Sequence, residues 1–197
     1  MERALSSFRA RILASPDDLG LRQVYGDLLS ERGDPRGAFI TAQCLGLTAE
    51  AQALFEANRH HLMRPLGPYA KVVFRHGFIE EWTTDYLELR QGGRALLKTS
   101  PVRLLRVSGL KKNDLAYLFD SEGLENLVSL ELTVLERSPF EYLRKRPLPL
   151  LQTLLVSGRF KRAELERFQS SALARQLKRL TASGHDGADQ FEVETGG

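Results

Sequence analysis

The sequence predicts an α/β fold in which a short stack of parallel strands, backed by helices, follows an N-terminal helical cap. Three observations predict it. One phrase occurs four times: Val102-x-x-Leu105-x-Val107-Ser108-Gly109, Leu127-x-x-Leu130-x-Leu132-Thr133, Leu151-x-x-Leu154-x-Val156-Ser157-Gly158 and Leu177-x-x-Leu180-x-Ala182-Ser183-Gly184. A weaker copy, Ile79-x-x-Trp82-x-Thr84, stands ahead of them, and the steps between first positions are 23, 25, 24 and 26 residues. Periods of that size mark stacked units that each bury one face against the next. Finally, apolar residues recur at helical spacing in the first third of the chain and switch to strand spacing around Lys71.

In chain order, Ala4, Leu5, Phe8, Ile12 and Leu13 share one face of a first helix, and Ser15-Pro16-Asp17-Asp18 stops it and starts the next. Leu21, Val24, Tyr25, Leu28 and Leu29 follow the i, i+3, i+4, i+7, i+8 pattern of a core-facing helix. Gly33 supplies its left-handed ending, Asp34 caps the following helix, and Pro35 suits that helix's first turn. Phe39, Ile40, Gln43 and Cys44 continue it. Thr48 is expected to cap a fourth helix that buries Ala51, Leu54, Phe55 and Leu62. Past Pro65, Lys71-Val72-Val73-Phe74 and Phe78-Ile79-Glu80-Glu81-Trp82 form a hairpin turned at His76-Gly77. At this hairpin the helical part is expected to cover the first open edge of the stack.

Within each phrase, apolar positions alternate across a short strand, so Leu105 and Val107, Leu130 and Leu132, and Leu154 and Val156 face the core. The returns carry helical spacing. Asn113-Asp114 precedes Leu115, Leu118 and Phe119; Ser138-Pro139-Phe140-Glu141 has the form of a capping box; Leu165 and Phe168 stand three apart. A strand, a turn and a short helix in about 25 residues resembles the leucine-rich-repeat family over about residues 78–184. The asparagine that family places after the strand is replaced here by Ser108, Thr133, Ser157 and Ser183. With four good copies and one poor one, the resemblance implies a short arc.

The N-terminal segment carries a second resemblance. Ile12-Leu13-Ala14-Ser15-Pro16-Asp17-Asp18, Leu21-Arg22-x-Val24-Tyr25-Gly26-Asp27-Leu28-Leu29 and Glu31-Arg32-Gly33-Asp34-Pro35-Arg36-Gly37-x-Phe39-Ile40 are similar to the bacterial repeat-companion domain of myxobacterial-type genomes. Gly26 and Leu28 depart from that family's usual alanine and tryptophan. The resemblance implies a helical cap, residues 1–66, and a bacterial origin, and it brings no activity with it. The repeat stack with its opening hairpin then takes residues 67–184, and an acidic tail takes 185–197. That tail alternates at Gln190-Phe191-Glu192-Val193-Glu194, which fits either a strand capping the last repeat or a free end.

Bulk properties place the chain among soluble cytoplasmic proteins. Charged content of 27% and hydrophobic content of 42% are ordinary, and no run of about 20 apolar residues is present to span a membrane. The start has no apolar signal core, and Cys44, the single cysteine, excludes an internal disulfide and is expected as a small buried hydrophobe.

Few residue sets point to chemistry. Arg32-Gly33-Asp34 reads as a helix end and start. Asp27 and Asp34 are either a carboxylate pair, with Arg36 the basis of an enzymatic reading, or salt-bridge partners of Arg32 and Arg36; the second is favoured because no third catalytic group is evident. His60-His61 project about 100° apart on a helix, and His76 and His185 complete no ligand spacing, so no metal is expected. Gln91-Gly92-Gly93 lacks the residues of a phosphate loop and reads as a turn. No cofactor is expected, and no catalysis.

What remains is a surface. Residues between the core positions of each strand face the open, concave side in three rows: Glu81, Leu104, Ser129, Thr153 and Arg179; Thr83, Arg106, Glu131, Leu155 and Thr181; Asp85, Ser108, Thr133, Ser157 and Ser183. Arg106 and Glu131 are placed to pair, and Leu104 and Leu155 are apolar where water is expected. The sequence therefore predicts a scaffold or adaptor that docks a protein partner on this face. An alternative uses the stretch 136–179, where eleven Lys or Arg outnumber four Glu, as a site for an acidic partner or nucleic acid. Nucleic acid is disfavoured because Phe140, Tyr142, Phe160 and Phe168 fall at core spacing.

Overall fold

The computed structural model describes residues 2–67, 70–186 and 189–196. It is an α/β protein built on one open seven-stranded sheet whose strands lie in chain order. Four helices come first: α1 (Glu2–Ala14), α2 (Leu19–Ser30), α3 (Arg36–Cys44) and α4 (Thr48–Leu62). The hairpin β1 (Lys71–Arg75) and β2 (Phe78–Asp85) follows. Then come β3 (Leu104–Leu110), β4 (Ser129–Val134), β5 (Thr153–Arg159), β6 (Arg179–Asp186) and β7 (Asp189–Gly196). Strands β2 to β6 are parallel, and the outermost strands β1 and β7 run antiparallel to their neighbours. The tail thus pairs with β6 over residues 189–196.

Parallel neighbours require a crossover, and each crossover is helical. Between β2 and β3 lie α5 (Tyr86–Glu88), a π turn (Leu89–Gly93) and α6 (Arg94–Thr99). Then come α7 (Lys112–Phe119) with a 3-10 turn (Leu124–Asn126), α8 (Phe140–Lys145), and α9 (Arg162–Gln169) with α10 (Ala172–Gln176). One core joins the inward strand residues Trp82, Leu105, Leu130, Leu154 and Leu180 to these returns through residues such as Leu97, Leu118, Leu143 and Phe168. Leu105, Leu130 and Leu154 are fully buried. Near the end of β5 only glycine fits at 158: the φ of Gly158 is +119, and an added Cβ would lie 1.9 Å from the Val134 carbonyl oxygen.

The helical part holds two smaller clusters, one around Ile12, Leu21, Tyr25, Leu29 and Ile40, the other around Phe39, Ala42, Ala51 and Leu62. Both reach the hairpin: Tyr25 lies 5.8 Å from the Phe78 ring, and Phe39 meets Phe74 edge-on at 5.2 Å. His76 and Gly77, at φ +48 and +84, form the hairpin turn, which abuts Ile40 of α3.

Several local expectations are corrected. Val24 is exposed, and Arg22 takes its place on the buried face of α2. Gly26 and Gly37 are responsible: a Cβ on Gly37 would lie 2.5 Å from the Gly26 carbonyl oxygen, so α2 and α3 cross closely there and set which face turns inward. Thr48 does not cap α4; its hydroxyl donates to the Gly46 carbonyl. Ser138 forms no capping box: its hydroxyl accepts from the Phe140 N–H two residues on, and Glu141 pairs with Arg144 instead. One-sided capping by a third-position acid occurs elsewhere, with Asp114 accepting from the Lys111 N–H and Glu164 from the Lys161 N–H. Gln91-Gly92-Gly93 lies inside the helical return, its glycines packed against the Pro65 carbonyl and Leu89. Cys44 is half-buried, and that burial pushes its thiol pKa up. No helix among the described residues is long and apolar enough to cross a membrane.

Candidate functional site

The sheet has one face against the helices and one face free. Strand pairing sets Glu81, Leu104, Ser129, Thr153 and Arg179 side by side, and likewise Thr83, Arg106, Glu131, Leu155 and Thr181. The third row is interrupted. Asp85 pairs with Ser108, and Thr133 with Ser157 and then Ser183, but a register shift after Val107 separates Ser108 from Thr133. Gly109 at φ +74 provides the local bend.

None of these row residues is buried. Leu104 and Leu155 are half-buried rather than exposed, because neighbouring side chains on adjacent strands cover their flanks. Of the exposed large apolar residues, Val73 on β1 pairs with Glu81 and flanks the first row, while Leu45 and Leu47 before α4 and Leu135 after β4 lie elsewhere.

Most charges on this face are matched by neighbours, while the Asp85 carboxylate accepts from the Leu87 and Glu88 N–H groups at the start of α5. Arg106 Nε lies 3.0 Å from Glu131 Oε2, and Arg179 lies 3.0 Å from Glu194 on β7. Glu81 pairs with Arg75 on β1, and Arg103, just before β3, reaches Asp17 at 2.6 Å. Between the pairs the surface is hydroxyl-rich. Thr133 and Ser157 bond to each other at 3.1 Å, and the Thr181 hydroxyl is enclosed with no hydrogen-bond partner among the described residues. The face suits a partner offering hydrogen-bonding groups and modest apolar contact more than one offering a single strong charge.

The basic stretch 136–179 is spread over α8, β5, α9, α10, the first residue of β6 and the connecting loops. Phe140, Phe160 and Phe168 are buried against one another, and Tyr142 stacks on Phe119 at 5.7 Å. Arg144 pairs with Glu141, Arg146 donates to the Ser121 carbonyl, and Arg179 is held by Glu194. The stretch therefore supplies cations without an open aromatic platform for bases.

Of the carboxylates singled out in the N-terminal part, Asp34 is engaged and Asp27 is not. Asp34 accepts from the Arg36 backbone N–H and its Nε, each at 3.0 Å, and lies 3.0 Å from His61 Nε2. Asp27 is exposed, with no side-chain partner among the described residues. Partial burial alone would raise the Asp34 pKa, but the Arg36 hydrogen bonds and charge, with His61, outweigh it and hold it at about 2. A carboxylate held below its usual value contributes stability above about pH 4, lost as pH falls through about 2. Asp34→Asn is accordingly expected to lower the urea midpoint near neutrality, with its deficit relative to wild type narrowing between about pH 4 and 2. A deficit independent of pH over that window would contradict the assignment. Among the described residues no three His, Cys, Asp or Glu gather to hold a metal ion.

The structure also assembles a pair that the sequence did not flag. Arg22 on α2 is fully buried, donates to Glu80 of β2 at 2.6 Å and to the Arg75 carbonyl at 2.7 Å, and sits over the Phe78 ring at 5.2 Å. Glu80 is the extra residue of a bulge, since Val73 pairs with Glu81 but Phe74 with Ile79. The available signal was spacing: Arg22, Tyr25, Gly26 and Leu29 share one helical face.

Comparison with protein-family models, with curated proteins and with solved structures finds no match.

Proposed function

We propose that the chain is a non-catalytic interaction scaffold or adaptor of the leucine-rich-repeat type, fronted by a helical repeat-companion cap, which holds a cytoplasmic protein partner on its free strand face. One observation carries the reading. Five consecutive parallel strands present unburied side chains on one face, two of the three rows in unbroken register and most charges paired with neighbours, while the opposite face packs into the core. Such a surface is broad and preorganised, as protein docking requires, and among the described residues it holds no assembled nucleophile, base or metal set.

The test is an Arg106→Glu, Leu155→Ala double variant. It breaks an exposed pair and trims a half-buried side chain, at a combined stability cost of about 1–2 kcal/mol. Partner recovery in a pull-down from the native cell is expected to fall at least about tenfold while the protein stays folded by circular dichroism. Undiminished recovery of the same partner removes this face from consideration.

The second reading, an acidic partner on the stretch 136–179, is supported by Arg137 and Lys145, which have no ion pair among the described residues. Salt separates the two. Phosphate or polyacid contacts make affinity fall steeply with ionic strength, and a neutralised strand face does not.

A further inference from the structure

A cleft of about 250 Å³ lies between the helical part and the sheet. Its walls come from α1, α2, α3, the end of α4, the hairpin and α6. The floor is apolar, with Leu29, Ile40, Phe78 and Ile79 among its buried members. Its charged lining is of one sign: Arg9, Arg36 and Arg64 contribute, and no Asp or Glu does. Asp34 already neutralises Arg36 from outside the cleft. The Arg9 and Arg64 side chains have no hydrogen-bond or ion-pair partner among the described residues; Arg9 is partly exposed and Arg64, at the rim, is exposed.

Guanidinium groups held beside an apolar floor without a carboxylate are incomplete as ion pairs. Their forked donors match a carboxylate or phosphate, while the floor takes hydrocarbon. We propose that this cleft binds a small amphiphilic anion, one carboxylate or phosphate head on a short apolar body. The head lies between Arg9 and Arg64, and the body lies on Phe78 and Ile79. A volume at the small end of ligand sites restricts the body to a few carbons or one ring. The site is separate from the free strand face, so a ligand here would bridge the helical part and the sheet and bias how firmly they hold together.

Isothermal titration of the full chain with hexyl phosphate, hexanoate, 1-hexanol and inorganic phosphate tests this. Saturable binding is expected for hexyl phosphate or hexanoate, at least about tenfold tighter than for 1-hexanol or inorganic phosphate. Arg9→Gln with Arg64→Gln is expected to weaken it about tenfold or more, with the unliganded melting temperature held. If that variant fails to fold, Ala95→Trp fills the cleft without touching a charge, and it is expected to block binding. The proposal is overturned if neither anion binds, if 1-hexanol binds as well as hexyl phosphate, if inorganic phosphate alone binds as tightly, or if the folded variant binds unchanged.

Discussion

Replacing Leu130 with alanine is expected to lower the unfolding free energy by about 2–5 kcal/mol. Leu130 has no exposed surface, and its flanks are Leu105 on β3 and Leu154 on β5, both equally buried. The parallel ladder fixes those neighbours at the spacing of adjacent strands, so they cannot close over the missing side chain. The lost contacts and the residual void both count against the folded state. Urea denaturation with an unchanged m-value reads the effect directly. A loss under about 1 kcal/mol would place Leu130 in a site that can collapse, and the packing described above would be wrong.

The second large effect is expected from Arg22→Ala, at about 3–5 kcal/mol. Its partner Glu80 is almost fully enclosed, with side-chain exposures of 0% for Arg22 and 9% for Glu80. Salt hardly screens such a pair, unlike Lys98–Glu122 at 66% and 73%, a type worth about 0–1 kcal/mol. Truncating Arg22 leaves the enclosed Glu80 carboxyl without its partner and strips the Arg75 carbonyl of its guanidinium donor. The arginine itself is not ideally satisfied, since its Nε has no partner among the described residues. Replacing both partners with apolar residues, Arg22→Met with Glu80→Leu, is therefore expected to recover most of the loss. Failure of the double variant to exceed Arg22→Ala in stability would show that the pair is held by more than its mutual charge.

The strand register was legible because it rests on a period of two repeated at near-constant intervals. Leucine at 105, 130, 154 and 180 leaves one alignment in which all four of these side chains are covered. Two of the three outward rows followed directly. The third broke at Gly109, whose positive φ admits a bulge that alternation alone does not encode. Helix faces were less legible. In α2 the apolar count favours Val24, but the close crossing allowed by Gly26 and Gly37 turns the helix so that Arg22 is inside. Arg22 and Glu80 are 58 residues apart, and each alone looks like an ordinary solvated charge. Capping was misplaced for a similar reason. Thr48 and Ser138 have suitable hydroxyls, but their backbones direct them to Gly46 and Phe140.

The opposed direction of β1 and β7 bears on how such a molecule changes size. Only between β2 and β6 does a strand find same-direction neighbours on either side. A duplicated segment of 23 to 26 residues inserted there would widen the outward surface by one column and leave both terminal hairpins intact. Evolution, or an engineer, can thus lengthen the outward face in unit increments while the ends stay invariant.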